Sequence, residues 1–286
     1  MRYWKILNEN ENHNGFQYEK GKNVDTLPFN TDGSDDCTEG GLYFSNSKNV
    51  IRFLLYGSVI REVLDWDKKN CIEFYEKFRS KWITLGRKRK VTIKWLKEIA
   101  EDGADLHNFE DYAFRWAATN GYFEVVKYLV KQGSDIHATN NYALRNAVEN
   151  GHFNVVKYLI ENGANIHAQN DYALEAASEG GYLNIIKLLV DHGADIHINH
   201  DRPLRLAADN GYLKIVKYLI ENGANIHAYS DFALGAAAEK GYYAIVKLLL
   251  EKGANIHAQN DCALKQATKN GHTEIVKYLK EKGEIL

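Results

Sequence analysis

Six histidines recur every 30 residues: His107, His137, His167, His197, His227 and His257. A regular row of imidazoles suggests a metal array, because neutral imidazole is the commonest protein ligand for transition metals. Spacing opposes that chemistry. Helices of neighbouring units lie roughly 8–10 Å apart. Two nitrogens each about 2.0–2.1 Å from one zinc must lie within about 4 Å of each other. No second ligand recurs beside each histidine, so each imidazole is expected to form a structural hydrogen bond within its own loop.

Other segments invite chemical readings and fall short of them. The run GRKRKVTIK, 86–94, holds Arg87, Lys88, Arg89, Lys90 and Lys94. It has the character of a nuclear address or nucleic-acid patch, but no aromatic interleaving or basic stripe continues from it. A solvated connector is the expected role. DGSDD, 32–36, resembles the start of a calcium loop. The EF-hand needs Gly at position 6 and Glu at position 12; here those positions are Cys37 and Tyr43. TEGG, 38–41, lacks the Lys-Ser/Thr of a phosphate loop. His13 with Cys37 or Cys71 would make a base and nucleophile, but no spacing supports the pairing and an inert cysteine is commoner. No catalytic residue, cofactor site or metal site is therefore assigned.

The elements that must position any site follow a strict period. Gly133, Gly163, Gly193, Gly223, Gly253 and Gly283 lie 30 residues apart, as do Gly121, Gly151, Gly181, Gly211, Gly241 and Gly271. Six units thus cover 108–286, and TIKWLKEIAEDGADLH, 92–107, aligns as half of a degenerate unit before them. In NDYALEAASEGGYLNIIKLLVDHGADIH, 170–197, Asp171 is a candidate N-cap. Ala173, Leu174 and Ala177 form a narrow apolar face. Gly180 and Gly181 stop that helix. Ile185, Ile186, Leu188 and Leu189 line a second helix, and Gly193 ends it. ADIHINH is expected to run extended to the next cap, Asp201. Alanines at 117, 147, 177, 207, 237 and 267 permit close helix packing. Such a unit buries its faces against both neighbours, so the array is a solenoid.

The recurring G-A-N-I-H-A and A-x-x-x-G-(Y/H)-x-x-(I/V)-V-K-(Y/L)-L closely resemble ankyrin repeats. DRPLRLAADNGYLKIVKYLIENGA, 201–224, stands nearest, with PLRLAA where the family has T-P-L-H-x-A-A. The usual period of 33 is shortened to 30, and the shortening falls in the hairpin loop. At the family's T-P-L-H histidine stand Arg115, Arg145, Glu175, Arg205, Gly235 and Lys265. The 30-residue form with NGANIHA resembles the ankyrin proteins of giant amoeba viruses. The resemblance implies protein–protein binding, with hairpin tips and first helices lining a concave face.

Residues 1–86 break the period. RYWKILN, FQYEKGKNVDTLPF, GGLYF, VIREVLDW and KWITL read as strands. SKNVIRFLLYG reads as a helix capped by Ser47 or Asn46 and stopped by Gly57. ENENHNGFQYEKGKNVDTLPFN and GGLYFSNSKNVIRFLLYGSVIREV resemble an N-terminal module of giant-virus repeat proteins. The expected fold class is mainly α: a helical solenoid of 30-residue units behind a small α+β domain. The expected divisions are 1–86, a capping half-repeat at 87–107, and six repeats near 110–139, 140–169, 170–199, 200–229, 230–259 and 260–286. Lys277, Lys280, Glu281 and Lys282 solvate the last unit, and no F-box-like tail is expected beyond it.

A net charge of −2 offers no general attraction to nucleic acid or anionic membrane. No apolar run reaches the roughly 18–20 residues of a membrane span, and the start MRYWKILNENENHNG is no signal peptide. Three irregularly spaced cysteines suit a reducing intracellular compartment. The expected function is a non-enzymatic interaction scaffold, monomeric, in the host cytoplasm, with 86–90 the segment that would direct nuclear entry. The alternative is an enzyme or ligand-binding activity in 1–86, with the repeats as a targeting platform. Aromatic and Arg side chains dominate binding hot spots. Among the slots that vary within the repeat, Phe109, Arg115, Trp116, Arg145, Arg205 and Tyr229 are therefore the expected partner-binding residues.

Overall fold

The computed structural model describes residues 1–13, 16–27, 41–74 and 76–283. The acidic run 32–36, the TEGG segment up to residue 40, and Cys37 lie outside the described residues. The chain divides into two compact units. Residues 1–118 and 122–138 make the first; residues 119–121 and 139–286 make the second.

The first unit is built on antiparallel strands. They are β1 (Tyr3–Leu7), β2 (Asn12–His13), β3 (Phe16–Gln17), β4 (Gly21–Val24), β5 (Leu42–Asn46), β6 (Val59–Trp66), β7 (Cys71–Phe74), β8 (Lys77–Ser80), β9 (Trp82–Leu85) and β10 (Arg89–Lys90). The sheet runs β4-β9-β6-β1-β5-β8-β7, with β10 pairing β6 off that path and β2-β3 forming a separate ribbon. Alternation along β1 feeds two cores. Leu7 joins Tyr18, Leu42, Phe44, Val63 and Leu85. Trp4 meets Trp95 edge-on at 5.9 Å and donates its indole N–H to Ser47 Oγ at 2.9 Å.

Two expectations for this unit are corrected. SKNVIRFLLYG forms a 3-10 helix, Val50–Tyr56, and its N-cap is Asn49, which gives no side-chain hydrogen bond. Gly57 does stop it: an added Cβ there would meet Leu7 O at 2.1 Å. The basic run is solvated at Arg87, Lys88, Lys90 and Lys94 as expected, but it is not a loose connector. Arg89 and Lys90 pair with Ile60 and Val59 of β6. The Arg89 guanidinium lies 5.4 Å over Trp4 and 2.7 Å from Glu98, and Lys88 pairs with Glu11 at 3.3 Å.

Helix α1 (Ile93–Glu101) follows, capped by the Thr92 side chain, which accepts from the Trp95 N–H. Just beyond it, Asp102 accepts from the Arg2 backbone N–H at 3.1 Å, from Arg2 Nε at 3.0 Å and from Ser47 Oγ at 2.8 Å. Burial works to raise the Asp102 pKa, but these donors outweigh it and hold the carboxyl below its ordinary value. A depressed carboxyl stabilises the fold above its unfolded pKa, and that stability is lost as pH falls through the folded value. All five tryptophans lie in this unit, so their fluorescence reports it alone. Asp102→Asn is expected to lower stability at neutral pH and to flatten the loss of stability on acidification. Denaturant titrations followed by Trp fluorescence from neutral pH into the acid range check this; parallel wild-type and variant pH curves would refute it.

The helical pairs are α2 (Asn108–Thr119) with α3 (Phe123–Lys131), α4 (Ala138–Glu149) with α5 (Phe153–Glu161), and α6 (Ala168–Gly180) with α7 (Leu183–Asp191). Then come α8 (Ile198–Asp209) with α9 (Leu213–Glu221), α10 (Ala228–Lys240) with α11 (Tyr243–Glu251), and α12 (Ala258–Lys269) with α13 (Thr273–Gly283). Within the second unit the first helices stack α6-α8-α10-α12, and α5 packs on α7 and α11 on α9 and α13. The alanine row explains the close approach: Ala147, Ala177, Ala207, Ala237 and Ala267 are fully buried. Among the described residues no helix is long and apolar enough to cross a membrane.

The junctions differ from expectation. ADIHINH does not run extended. Asn199, His200 and Asp201 take three successive left-handed conformations (φ 46°, 58° and 51°), and the other pairs repeat the turn. Three left-handed non-glycine residues cost roughly 1–2 kcal/mol each. The turn reverses the chain within the shortened loop, and the side chains around it offset the strain.

Candidate functional site

Among the described residues four junctions are held by a short relay. His197 Nδ1 lies 2.9 Å from Asp201 Oδ1, and the Asn225 N–H of the next loop donates to the same oxygen at 2.8 Å. The pattern returns at His227, Asp231 and Asn255 (3.0 and 2.8 Å) and at His167, Asp171 and Asp195 (2.8 and 3.4 Å). In the first unit His107 Nδ1 meets Asp111 Oδ1, and the Asp135 N–H donates to the other oxygen, Oδ2. A carboxylate only accepts, so the imidazole proton sits on Nδ1. The aspartates expected as N-caps thus serve the histidine before them and the loop after them. Among the described residues no group of three or more His, Cys, Asp or Glu is placed to hold a metal ion.

The arginines at the variable slot clamp the same turns. Arg205 donates through Nε to His200 O at 3.2 Å and through Nη2 to Asn199 O at 2.8 Å. Arg145 reaches Asn140 O at 3.2 Å and Gln169 Oε1 at 2.9 Å. In the first unit Arg115 reaches Glu110 O and Phe109 O, both at 2.8 Å. Where Gly235 leaves the slot empty, Gln259 Nε2 donates to Tyr229 O and Ser230 O at 3.1 and 3.0 Å.

Of the other expected residues, Phe109 is half-buried beneath the Arg52 guanidinium, 5.4 Å away. Trp116 is a correction. It is only 8% exposed and packs 5.0 Å from Tyr122, because its slot faces the interior of the helix pair. In the second unit the structure brings Arg205 and Tyr229 together: the guanidinium lies 4.6 Å over the Tyr229 ring and 5.6 Å over Phe232. His200 adds a ring 6.0 Å from Tyr229. Tyr229 is 62% exposed and Phe232 38%. This is an aromatic–guanidinium cluster open to solvent.

The first unit contains a second feature, a half-open cleft of about 320 Å³, solvent-filled space included. Lys5, His13, Tyr43, Ser45, Phe53, Tyr56 and Lys77 are among its lining. Lys5 is 3% exposed and Lys77 8%. Lys5 Nζ lies 2.9 Å from His13 Nδ1. Burial, then the charges of Lys5 and Lys77, lower the His13 pKa to about 3. Cys71 does not share this cleft; it packs beside the sheet core, and burial, then Glu73 and Asp67, raise its thiol to about 11. The suggested His13–Cys71 pair is thus not assembled.

The ankyrin-repeat family model matches three times, over residues 87–170, 167–230 and 204–285. The chain belongs to the ankyrin-repeat family. An uncharacterized protein of Acanthamoeba polyphaga mimivirus is 38% identical over 130 residues, 43% of this chain and 94% of that protein. Two ankyrin repeat proteins of the same virus are 34% and 33% identical over 134 residues each, 45% and 44% of this chain. Those alignments span 66% and 40% of the two relatives' own length. The crystal structure of the human ASB11 ankyrin repeat domain superposes with a TM-score of 0.55 at 27% identity, covering 59% of this chain and 83% of that one.

Within the ankyrin units, sequence reasoning missed Phe232. Its slot reads Tyr112, Tyr142, Tyr172, Arg202, Phe232 and Cys262, and the same variable-slot logic would have found it. The row Lys157, Lys217, Lys247 and Lys277 pairs with glutamates four residues on at 3.8–3.9 Å. Such exposed pairs contribute about 0.3–0.5 kcal/mol each, which suits a scaffold role. The cleft was missed for a different reason: its residues come from separate strands. Its sequence signal is Lys5, a charge inside the apolar strand YWKIL.

Proposed function

We propose that this chain is a non-enzymatic interaction scaffold of viral origin that binds a host or viral protein through the turns and first helices of its ankyrin units. The Arg205–Tyr229–Phe232 cluster carries this reading. Aromatic and Arg residues dominate hot spots because a large rigid face is buried at little entropic cost. Arg145 holds the same repeat slot as Arg205 in the second unit, and Phe109 and Arg115 hold the corresponding repeat slots in the sequence of the first. Trp116 supports its helix pair and is left out of the binding set. The chain acts as a monomer, with 1–86 as a module, 87–107 as the capping half-repeat and 108–286 as the repeats.

The test separates binding from folding. Arg205 also clamps a turn, so its loss mixes the two effects. Tyr229→Ala and Phe232→Ala remove exposed rings and are expected to change stability by no more than about 0.5 kcal/mol. Binding of a partner captured from amoebal extract on the full chain is expected to weaken roughly 10- to 100-fold in the double variant, measured by calorimetry. A captured partner that binds the double variant as tightly as wild type would sink this reading. A second reading, ligand binding in the N-terminal module, is favoured by the Lys5–His13–Lys77 cleft.

A further inference from the structure

The first and second helices of the second unit treat their charges differently. On the second helices Lys157, Lys217, Lys247 and Lys277 each pair with a glutamate four residues on. On the first helices the same spacing sets Arg145 before Glu149 and Arg205 before Asp209, yet these pairs do not form. The left-handed turns draw the arginines away. Arg205 donates to the carbonyls of His200 and Asn199, and Arg145 to those of Asn140 and Thr139 and to the Gln169 side chain. All these acceptors are neutral, so both guanidinium charges stay uncompensated. Lys265, exposed in α12, continues the basic row without a partner. Glu175 in the same slot is neutralised by Arg202 at 3.1 Å. The first two residues of each turn, from Gln169 and Asn170 to Gln259 and Asn260, carry no carboxylate.

The acids are left in the same state. Glu179, Asp209 and Glu239 share one repeat position near the ends of α6, α8 and α10, and none forms an ion pair among the described residues. Residues four apart share a helix face, with Cβ atoms roughly 5–6 Å apart. The first helices therefore carry a basic row beside the turns and an acidic row one helical turn further on. Tyr229 and Phe232 stand at the basic row, under Arg205.

We propose that the partner of this face is a polypeptide segment with acidic residues along one edge and basic residues along the other; this rests on the scaffold reading above. Its acidic edge meets Arg145, Arg205 and Lys265, and an apolar side chain between the charges packs on Tyr229 and Phe232. Arg205 Nη1, which donates to nothing among the described residues, is the donor offered to that edge. The basic edge meets Glu179, Asp209 and Glu239. Charge complementarity selects this occupant. A nucleic acid carries one sign, so its phosphates would be repelled by the acidic row. A segment of a single sign would meet like charge on one row. A half-turn of the segment in its plane sets like charges together, so the two rows also fix its direction along the stack.

The experiment selects random peptides displayed on phage against the full chain and measures synthesised winners by calorimetry. Enriched peptides are expected to carry acidic and basic residues together and to weaken at least roughly 10-fold on Tyr229→Ala/Phe232→Ala. On the wild-type chain, changing their basic residues to Glu is expected to cost about 10-fold, a readout that needs no protein variant to fold. Glu179→Lys/Asp209→Lys/Glu239→Lys reverses the acidic row. There the original peptides are expected to weaken roughly 10- to 100-fold, and the Glu-substituted peptides to recover. Single-stranded oligothymidylate is expected to bind this variant, with a steep loss at raised salt, and to leave the wild type untouched. Enriched peptides of one sign or of none would overturn the charge assignment; their loss on Tyr229→Ala/Phe232→Ala would still leave the aromatic site standing. Peptides indifferent to that double variant would remove the site itself, and a selection that enriches nothing would overturn both. Oligothymidylate binding to the wild type, or unchanged peptide affinity in the folded triple variant, would also overturn the proposal.

Discussion

Asp201→Ala is expected to destabilise the second unit by about 2–4 kcal/mol, because one buried carboxylate satisfies two donors at once. Asp201 is 5% exposed; its Oδ1 accepts from His197 Nδ1 at 2.9 Å and from the Asn225 N–H at 2.8 Å. Alanine leaves the Asn225 N–H without its acceptor, and that N–H belongs to the next loop. The damage therefore crosses a repeat boundary, where an array held by nearest neighbours is most sensitive. The chain contains its own control. At the equivalent position Asn141 accepts from the Asn165 N–H at 2.8 Å, so an amide oxygen can serve the loop. Asp201→Asn should consequently cost only about 1 kcal/mol, the difference between a charge-assisted and a neutral acceptor. Circular-dichroism melts of the full chain check both variants. Equal losses for Ala and Asn would show that charge, not acceptor geometry, holds the junction.

The repeat was legible because packing imposes it. Glycine, alanine and histidine return every 30 residues because each unit meets the same neighbours, and a single chain displays that constraint six times over. What was not legible lies where the chain departs from the commonest local choices. The sequence ADIHINH contains no glycine, and extended backbone is the default for such residues; the left-handed triplet at Asn199, His200 and Asp201 follows from loop length and the relay, both tertiary facts. Asp201 reads as an N-cap from its position, yet its partners come from residues 4 before and 24 after it. The arginine slot was visible as variation, but its turn-clamping role required knowing that the preceding carbonyls splay outward. In the N-terminal module strand identity was readable from the β-branched and aromatic residues of segments such as β1 and β6. The pairing order was not, since it joins β1 to β5 and β6 across long gaps. The cleft inherits that opacity: Lys5, His13 and Lys77 meet only after the sheet has formed.

The glycines of one repeat row are expected to resist substitution far more than those of the other. Gly151→Ala should cost about 3 kcal/mol and Gly163→Ala about 1 kcal/mol, although both sites have positive φ, 70° and 93°. Positive φ penalises any Cβ, and at Gly163 that is the whole effect, since nothing lies within 4 Å of the added atom. At Gly151 the added Cβ would meet the Tyr182 ring, 2.5 Å from Cε1 and 2.7 Å from Cζ. That ring cannot simply swing away. Its hydroxyl reaches Glu149 O at 3.4 Å, and its other edge is seated against Gly180, where a Cβ would stand 2.3 Å from Cε2. The ring thus lies in a slot between two glycines of successive units. Thermal melts of Gly151→Ala, Gly163→Ala, Tyr182→Ala and the Gly151→Ala/Tyr182→Ala double variant test this as a cycle. The double variant should be more stable than the sum of its single losses predicts, by about 1–2 kcal/mol, because removing the ring removes the clash. Strict additivity would assign the whole Gly151 effect to backbone conformation and would remove the slot from the account of why G-(Y/H) recurs in this array.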